Sequence, residues 1–427
     1  MSLGVGPRRL LIDVSPLREV PAYRRWWLGS LLSGVGAQLT SFAVALQVFR
    51  ATGSSAAVGL VALMVLVPTL VVGLLGGVVA DSTDRRRLVL VTMATQLGVS
   101  GVLAAQAFPG ASLPLVYGLV GGQAVLVALQ SPAQRAMVPA LLGTQRLPSG
   151  LALAQLSFQV SLVAGPALAG ILTAVGGLRL CYLLDAASFL AGLYAVARLP
   201  ALAPVGAAAR RSPAAVLDAL RFLRTRPAVG GALLSDFLAT ALAMPFALFP
   251  AVNALHFGGG ATTLGLLGSA PAVGGAVAMA VSGGVRHLVR PGRALLVTGG
   301  VWGISVAGFG VAPALWGALL CLAVAGAADT LSVVLRGAVV QLSSPDHLRG
   351  RMGSLEFVVG AGGPQLGNAR AGFVAAVSSP AVSAVSGGLS VVVALGVLGL
   401  RCRPLTRPLV GVDGDGRPGR AAAEQGS

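Results

Sequence analysis

Apolar runs recur from one end of this sequence to the other, and they constrain its fold more than any other feature. Each run is about 20 residues long, enough to cross roughly 30 Å of hydrocarbon as a helix. The composition agrees, because 55% of the 427 residues are hydrophobic and only 10% are charged, whereas a soluble domain is about 25% charged. Most of the surface cannot face water, and the sequence predicts an all-α membrane protein.

Twelve of these runs are predicted to span the membrane. They lack the alternating pattern of about ten residues that marks barrel strands. The 60 glycines suit close helix packing, because small residues let backbones approach in lipid. The predicted spans are Trp26–Val48, Ala57–Ala80, Leu88–Ala107, Leu113–Ala140, Ser149–Ala174, Leu180–Ala197, Ala228–Val252, Thr262–Val285, Ala294–Val311, Ala314–Leu342, Met352–Val377 and Ala381–Leu400.

The net charge of +17 does not indicate nucleic-acid binding, because the basic residues are distributed as topology signals. All 30 are arginines. Only Arg50 and Arg179 fall in loops predicted to face outward, and most of the others lie in segments that share the opposite side of the membrane. This bias places both termini in the cytoplasm. The three cysteines, without CxxC spacing, indicate neither a disulfide framework nor a metal site.

The predicted spans divide into two halves of six. Gly76–Gly77 and Gly283–Gly284 each end an apolar run, and short basic loops then end at Arg87 and Arg293. Such parallel halves are the layout of major facilitator transporters. The predicted segments are a cytoplasmic N-terminal segment (1–25), an N-terminal half (26–199), a cytoplasmic linker with an amphipathic helix (200–227), a C-terminal half (228–400) and a disordered cytoplasmic tail (401–427).

The loop after the second span resembles the major facilitator motif G-x-x-x-D-R-x-G-R-R/K. The stretch "GVVADSTDRR" places its glycine, acid and two arginines in register, while Ser82 and Asp84 depart from the pattern. Three arginines after a span also fit an ordinary topology signal. The resemblance implies a cytoplasmic gate that separates when the halves move, formed by Gly77, Asp81, Arg85, Arg86 and Glu356.

The fifth span contains "SLVAGPALAG", which resembles the antiporter motif G-x-x-x-G-P-x-x-G-G of the same superfamily. Gly165, Pro166 and Gly170 match, whereas Ser161 and Ala169 replace glycines. Proline removes a backbone donor and small residues allow bending. We interpret the segment as a hinge that favours export, although such pairs also occur as simple kinks.

Across nearly the whole chain, the sequence resembles the enterobactin exporter-like branch of bacterial major facilitator transporters. The resemblance is carried by "SPLREVPAYRRWWLGSLLSGVGAQLTSFAVALQVF", "LLDAASFLAGL", "ALRFLRTRPAVGGALL" and "LSSPDHLRGRMGSL". It implies a monomeric exporter of a siderophore or drug in the bacterial cytoplasmic membrane, driven by protons without a cofactor. The cargo itself is not implied, because one fold hosts many cargoes.

Four of the 13 acidic residues lie within predicted spans, where ionisable groups indicate function. Asp185 is interpreted as a packing residue and Glu356 as part of the gate. Asp329 and Arg336 share one face of the tenth span and are predicted to be bridged through a neighbouring helix. Asp236 has no basic residue near it in its own span, and burial without a partner favours its proton-bound form. The candidates for proton coupling are Asp236, Asp329 and Arg336, and Asp236 is the first of them.

Amide side chains near mid-depth are the candidates for a cargo pocket, since amides orient polar cargo among apolar walls. Hydrogen bonding between helices is an equally open interpretation. An intramembrane enzyme is disfavoured because the spans hold no HExxH or GxSxG motif. An importer of a small solute and a non-transporting sensor remain alternatives. The candidate pocket residues are Gln38, Gln123, Gln159, Gln365 and Asn368.

Overall fold

The computed structural model of the chain describes residues 13–108, 110–200, 226–281, 290–343 and 349–406. These residues are overwhelmingly α-helical, and no strand occurs among them. Helices satisfy every internal backbone donor and acceptor within one segment, which hydrocarbon requires. The all-α prediction is therefore confirmed.

The helices follow the predicted spans closely. We number α1 Pro21–Thr52, α2 Ser55–Ser82, α3 Arg85–Ala105, then α7 Pro227–Ala243, α8 Ala261–Val281, α9 Pro291–Val311, α10 Leu315–Ser343, α11 Arg349–Val377 and α12 Pro380–Arg401. The helical stretch Leu113–Ala197 lies between α3 and α7 and contains α4 (113–142), α5 (144–176) and α6 (178–197).

Two glycines divide this stretch into three helices. Gly143 and Gly177 have φ of 66° and 72°, in the left-handed region that favours glycine. The thiol of Cys181 donates to the carbonyl of Ala169 at 3.6 Å, although twelve residues of straight helix rise about 18 Å. The chain therefore reverses at Gly177. It also reverses at Gly143, because Gly150 lies against Val138.

With these divisions, the described residues contain twelve long helical segments, the predicted number. Nine helices, one of them the stretch Leu113–Ala197, are long and apolar enough to cross a membrane within the described part of the chain. That each of the twelve segments crosses the membrane stays a prediction.

The seventh predicted span, Ala228–Val252, falls within a segment long and apolar enough to cross a membrane, and this segment contains a break. Helix α7 ends at Ala243, and the chain resumes as a 3₁₀ turn at Phe246–Leu248 and a helix at Phe249–His256. The physical reason is Pro245, which supplies no N–H donor and disfavours helical geometry at Met244. Met244 accordingly has extended backbone geometry.

The chain forms two compact units. Unit 1 comprises Met1–Val44 and Val71–Arg210. In its core, aromatic residues of α1 pack against Met93 of α3 and Met137 of α4. The hydroxyl of Tyr23 donates to the carbonyl of Gly150 at 2.7 Å, and the indole of Trp27 donates to the carbonyl of Leu153 at 2.8 Å. These bonds fix the start of α1 against α5.

Unit 2 comprises Ala45–Leu70 and Arg211–Ser427. Its helices pack through small residues. A Cβ added at Gly274 of α8 would overlap the backbone of Ala323 of α10, and one added at Gly326 would overlap the backbone of Pro271. These glycines bring the two backbones into contact, as small residues do in membranes. The units place Ala45–Leu70 with the C-terminal helices, whereas the predicted halves divide at residue 200.

Asp13 anchors the segment before α1 through hydrogen bonds. Its carboxylate accepts the backbone N–H of Ser15 at 2.9 Å and the hydroxyl of Ser149 at 2.8 Å. These hydrogen bonds hold the pKa of Asp13 below its usual value, since they favour the charged form. The exposed pair Arg146–Glu19 adds a contact at 2.5 Å.

Several predicted features lie outside the described residues. They are most of the linker 200–227 with its amphipathic helix, most of the basic loop that ends at Arg293, and the tail beyond residue 406.

Candidate functional site

Three charged side chains meet between α7 and α10. Asp236 of α7 and Arg336 of α10 form an ion pair, and both are almost completely buried. Asp329 lies two turns before Arg336 and close enough to interact electrostatically with both. Helical side chains lean toward the N-terminus of their helix, so Arg336 points back toward Asp329. The cluster combines two carboxyl groups with one guanidinium.

This arrangement corrects one prediction and agrees with another. The inference that Asp236 is buried without a partner is wrong, because Arg336 reaches it from another helix. The residues of one span do not indicate a partner that another helix supplies. The neighbouring helix expected to bridge Asp329 and Arg336 is α7, which contributes Asp236.

The charges of the cluster do not balance. One guanidinium neutralises one carboxylate, so two ionised acids with Arg336 carry a net charge of −1. Net charge is expensive within a membrane. A single proton bound to the cluster would make it neutral. The geometry therefore suits a site that takes up and releases one proton.

Asp185 forms a separate polar contact in unit 1. It is fully buried on α6, and its Oδ2 accepts the hydroxyls of Thr40 and Ser100, each at 2.7 Å. Gly36 makes room for it, since a Cβ there would lie 2.5 Å from Oδ1. The carboxyl group thus joins α1, α3 and α6, which is the packing role that the sequence indicated.

Replacing Asp185 with leucine is expected to lower the thermal stability of the purified protein. Interhelical hydrogen bonds in membranes are worth roughly 0.6 kcal/mol each, so losing both costs about 1 kcal/mol before any penalty for the stranded hydroxyls. Asp185→Asn keeps an acceptor oxygen and should lose less. Thermal unfolding in detergent measures both variants; equal midpoints for leucine and the native residue would exclude the packing role.

The predicted gate residues lie at the junction of α2 and α3, and Glu356 lies on α11. Gly77 and Asp81 belong to the last turns of α2, and their surroundings are outside the described residues. Asp84 caps α3 by accepting the backbone N–H of Arg86 at 2.8 Å. The Arg86 guanidinium donates to the carbonyl of Ala197 at 2.5 Å, binding the end of α6. Glu356 is partly buried in unit 2, and Arg85 is partly buried in unit 1.

The predicted hinge lies in α5 and packs against α1. A Cβ at Gly165 would overlap the Cβ of Gln38, so Gly165 must be small. Gly34 of α1 in turn makes room for the hydroxyl of Ser161. Gly170 is buried, and Pro166 is partly buried within α5. The small residues therefore allow close approach of two helices, as the motif indicated.

The five predicted pocket amides are distributed over both units. Gln38 packs beside Gly165, while Gln123 and Gln159 are partly buried on α4 and α5. Gln365 is partly buried on α11. Asn368 has a specific partner, because its Oδ1 accepts the backbone N–H of Ala247 at 3.2 Å. Their roles toward cargo stay predictions.

Arg370 is a charged residue within a span that sequence reasoning did not single out. It lies on α11, where its guanidinium donates to the hydroxyl of Ser386 at 3.2 Å and, at 3.5 Å, to the carbonyl of Ser383. The available signal was its position inside the predicted span Met352–Val377, where arginine is rare.

Comparisons with known proteins place the chain among transporters. Residues 12–407 match the family described as transmembrane secretion effector. An enterobactin exporter, EntS, of Salmonella choleraesuis is 32% identical over 386 residues, covering 90% of this chain and 92% of the relative. EntS of Escherichia coli O1:K1 / APEC is 31% identical over 392 residues, covering 91% and 93%.

Solved structures agree on the fold. The nucleoside transporter NupG superposes with a TM-score of 0.70 at 12% identity, covering 90% of this chain and 98% of that one. A bacterial homologue of the iron transporter ferroportin, in an inward-facing state, superposes with a TM-score of 0.67 at 18% identity, covering 91% and 99%. At these identities the likeness concerns the fold.

Proposed function

Because this chain belongs to the transmembrane secretion effector family of the major facilitator superfamily, we propose that it exports a siderophore in exchange for protons. The observation that carries the proposal is the similarity to enterobactin exporters over about nine-tenths of the chain. The major facilitator fold and the family agree with the resemblance seen in the sequence. The chain is a multi-pass membrane transporter and, as predicted, not an enzyme.

Coupling to protons is supported by the cluster of Asp236, Asp329 and Arg336. Because Asp236 already pairs with Arg336, Asp329 is the carboxyl group that takes up the proton. The cluster is neutral with the proton bound and carries one negative charge without it. A conformational change that exposes Asp329 to the other side then releases the proton. No cofactor takes part, and the proton gradient drives the cycle.

Alternating access is the remaining part of the proposal. The gate loop joins α2 and α3 on the cytoplasmic side, where the arginine distribution also places both termini. Asp81 favours the closed cytoplasmic gate through an arginine and the positive end of a helix, and both attractions vanish on opening. The protein works as a monomer in the bacterial cytoplasmic membrane.

Replacing Asp81 with asparagine is expected to slow turnover without preventing membrane insertion, because the gate loses a charge while hydropathy hardly changes. Asp84→Asn is the matched control, since it makes the same chemical change three residues later and keeps the oxygen that caps α3. Transport by equal amounts of each variant in vesicles measures the effect. Wild-type rates for Asp81→Asn would exclude the gate role.

The proposed function is tested with purified full-length protein in vesicles. Enterobactin is the first probe, and vesicles with the cytoplasmic face outward are given an acidic interior. Accumulation of enterobactin that collapses when the pH difference is abolished is the expected result. If drugs accumulate and enterobactin does not, the cargo is a drug, the other cargo class that the resemblance implies.

Transport direction has its own test, because the hinge motif and the relatives both favour export. Deleting the gene from its host should leave siderophore inside the cells and reduce its secretion. Reduced uptake of a solute with normal secretion would favour the importer alternative. If the deletion strain secretes siderophore and takes up every tested solute normally, a non-transporting sensor is the remaining alternative.

A further inference from the structure

The break after α7 leaves backbone groups that need partners. The last carbonyls of a helix and the first N–H groups of the next have no partner within their own segments. Here α7 ends at Ala243, and the next turn begins at Phe246. Pro245 follows the end of α7 and Pro250 lies at the start of the next helix, and neither has a backbone N–H to donate. Within a membrane such groups are satisfied by neighbouring helices.

Helix α11 places a polar side chain near each side of the break. On the side of the following turn, Oδ1 of Asn368 accepts the N–H of Ala247 at 3.2 Å. On the side of α7, Nη1 of Arg370 and the carbonyl oxygen of Leu242 both lie beside Gly387. Both atoms are 2.6 Å from the position that a Cβ at Gly387 would occupy.

The charge of Arg370 suits the end of α7. A helix C-terminus has a partial negative charge, and a cation beside it is stabilising. Within the described residues, no carboxylate forms an ion pair with Arg370, whose hydrogen bonds go to neutral oxygens of α12. Gly387 leaves the space through which the guanidinium approaches the end of α7.

Helix α11 also contacts α7 between the break and the charged cluster. The hydroxyl of Thr240 donates to the carbonyl of Asp236 at 2.9 Å. Gly363 and Gly367 of α11 pack on Thr240 so closely that a Cβ at either position would overlap it. The same face of α7 therefore connects the break to Asp236.

We propose that Asn368 and Arg370 are positioning residues that hold the break in α7 and thereby keep Asp236 against Arg336. The link to transport rests on the proposed function, whereas the structural role does not. Asn368 is then a partner of the backbone and not a ligand of cargo. Arg370 acts through the end of α7, without touching cargo or proton.

Hydrogen exchange of the purified full-length protein tests the structural part. Asn368→Ala should speed exchange in residues 244–250 by roughly two- to tenfold, the range for loss of one net hydrogen bond. Asn368→Asp keeps an acceptor and should restore protection. Gln365→Ala, one turn earlier on α11, is the matched control. Unchanged exchange in Asn368→Ala would overturn the proposal.

Arg370 is measured in the same way. Arg370→Gln should also speed exchange around the break, and Arg370→Lys should restore protection because a point charge suffices beside a helix end. If Asn368→Ala does not fold, Arg370→Gln and its lysine counterpart decide the outcome. Identical exchange in glutamine and lysine variants would contradict the role of charge.

Transport kinetics separate positioning from cargo binding. Asn368→Ala should lower the maximal rate of gradient-driven enterobactin transport and leave KM unchanged, with recovery in Asn368→Asp. A raised KM at an unchanged maximal rate would place Asn368 in the cargo pocket. If wild-type protein transports no enterobactin, the hydrogen-exchange result still stands or falls by itself.

Discussion

Asp329→Asn is expected to abolish uphill export while downhill movement of cargo continues. The substitution leaves the Asp236–Arg336 pair permanently neutral, so the site no longer exchanges a proton. For electroneutral exchange of one proton, each unit of pH difference supports about a tenfold cargo ratio, since it corresponds to about 1.36 kcal/mol. In vesicles, the accumulation ratio of the variant should fall to one at every imposed pH difference.

Three further variants control this experiment. Asp329→Glu keeps a titratable group and should retain uphill transport. Asp236→Asn leaves Arg336 facing Asp329, which again gives a neutral cluster, and should uncouple transport as well. Combining both asparagines strands a buried guanidinium and should reduce stability by several kcal/mol. Proton-driven accumulation by Asp329→Asn would exclude Asp329 as the proton site.

The second large effect concerns the contact between α5 and α1. Gly165→Leu is expected to abolish transport, because a side chain at this position overlaps Gln38 and forces the two helices apart. Overpacking typically costs 1–3 kcal/mol. Gly122→Leu on α4 is the matched control, since a Cβ there meets nothing within 4 Å.

A compensating substitution makes the prediction specific. Gly165→Ala should reduce transport in part, and Gln38→Gly should restore it, because the second change removes the Cβ that the first one meets. The experiment measures efflux at matched protein amounts in vesicles. Full efflux from Gly165→Leu would remove both the contact and the hinge from the mechanism.

Hydropathy alone predicted the course of the helices. The span Trp26–Val48 lies within α1, and Leu180–Ala197 lies within α6, because hydrocarbon admits only segments that satisfy their own backbone groups. The small residues at Gly165 and Gly170 could also be interpreted locally. Their effect depends on the small size of the side chain, which is a property of the residue itself and does not depend on its partner.

Partners between distant segments were decided by the tertiary structure. Asp236 and Arg336 are 100 positions apart, and the apolar patterns of their two helices do not indicate that these side chains face each other. The break in α7 follows from Pro245, a local signal, but Asn368, which binds the turn after the break, comes from α11. Periodicity specifies which residues share a helix face, whereas helix packing determines which residues that face contacts. The charge of a buried site depends on those contacts, so only the tertiary structure decides it.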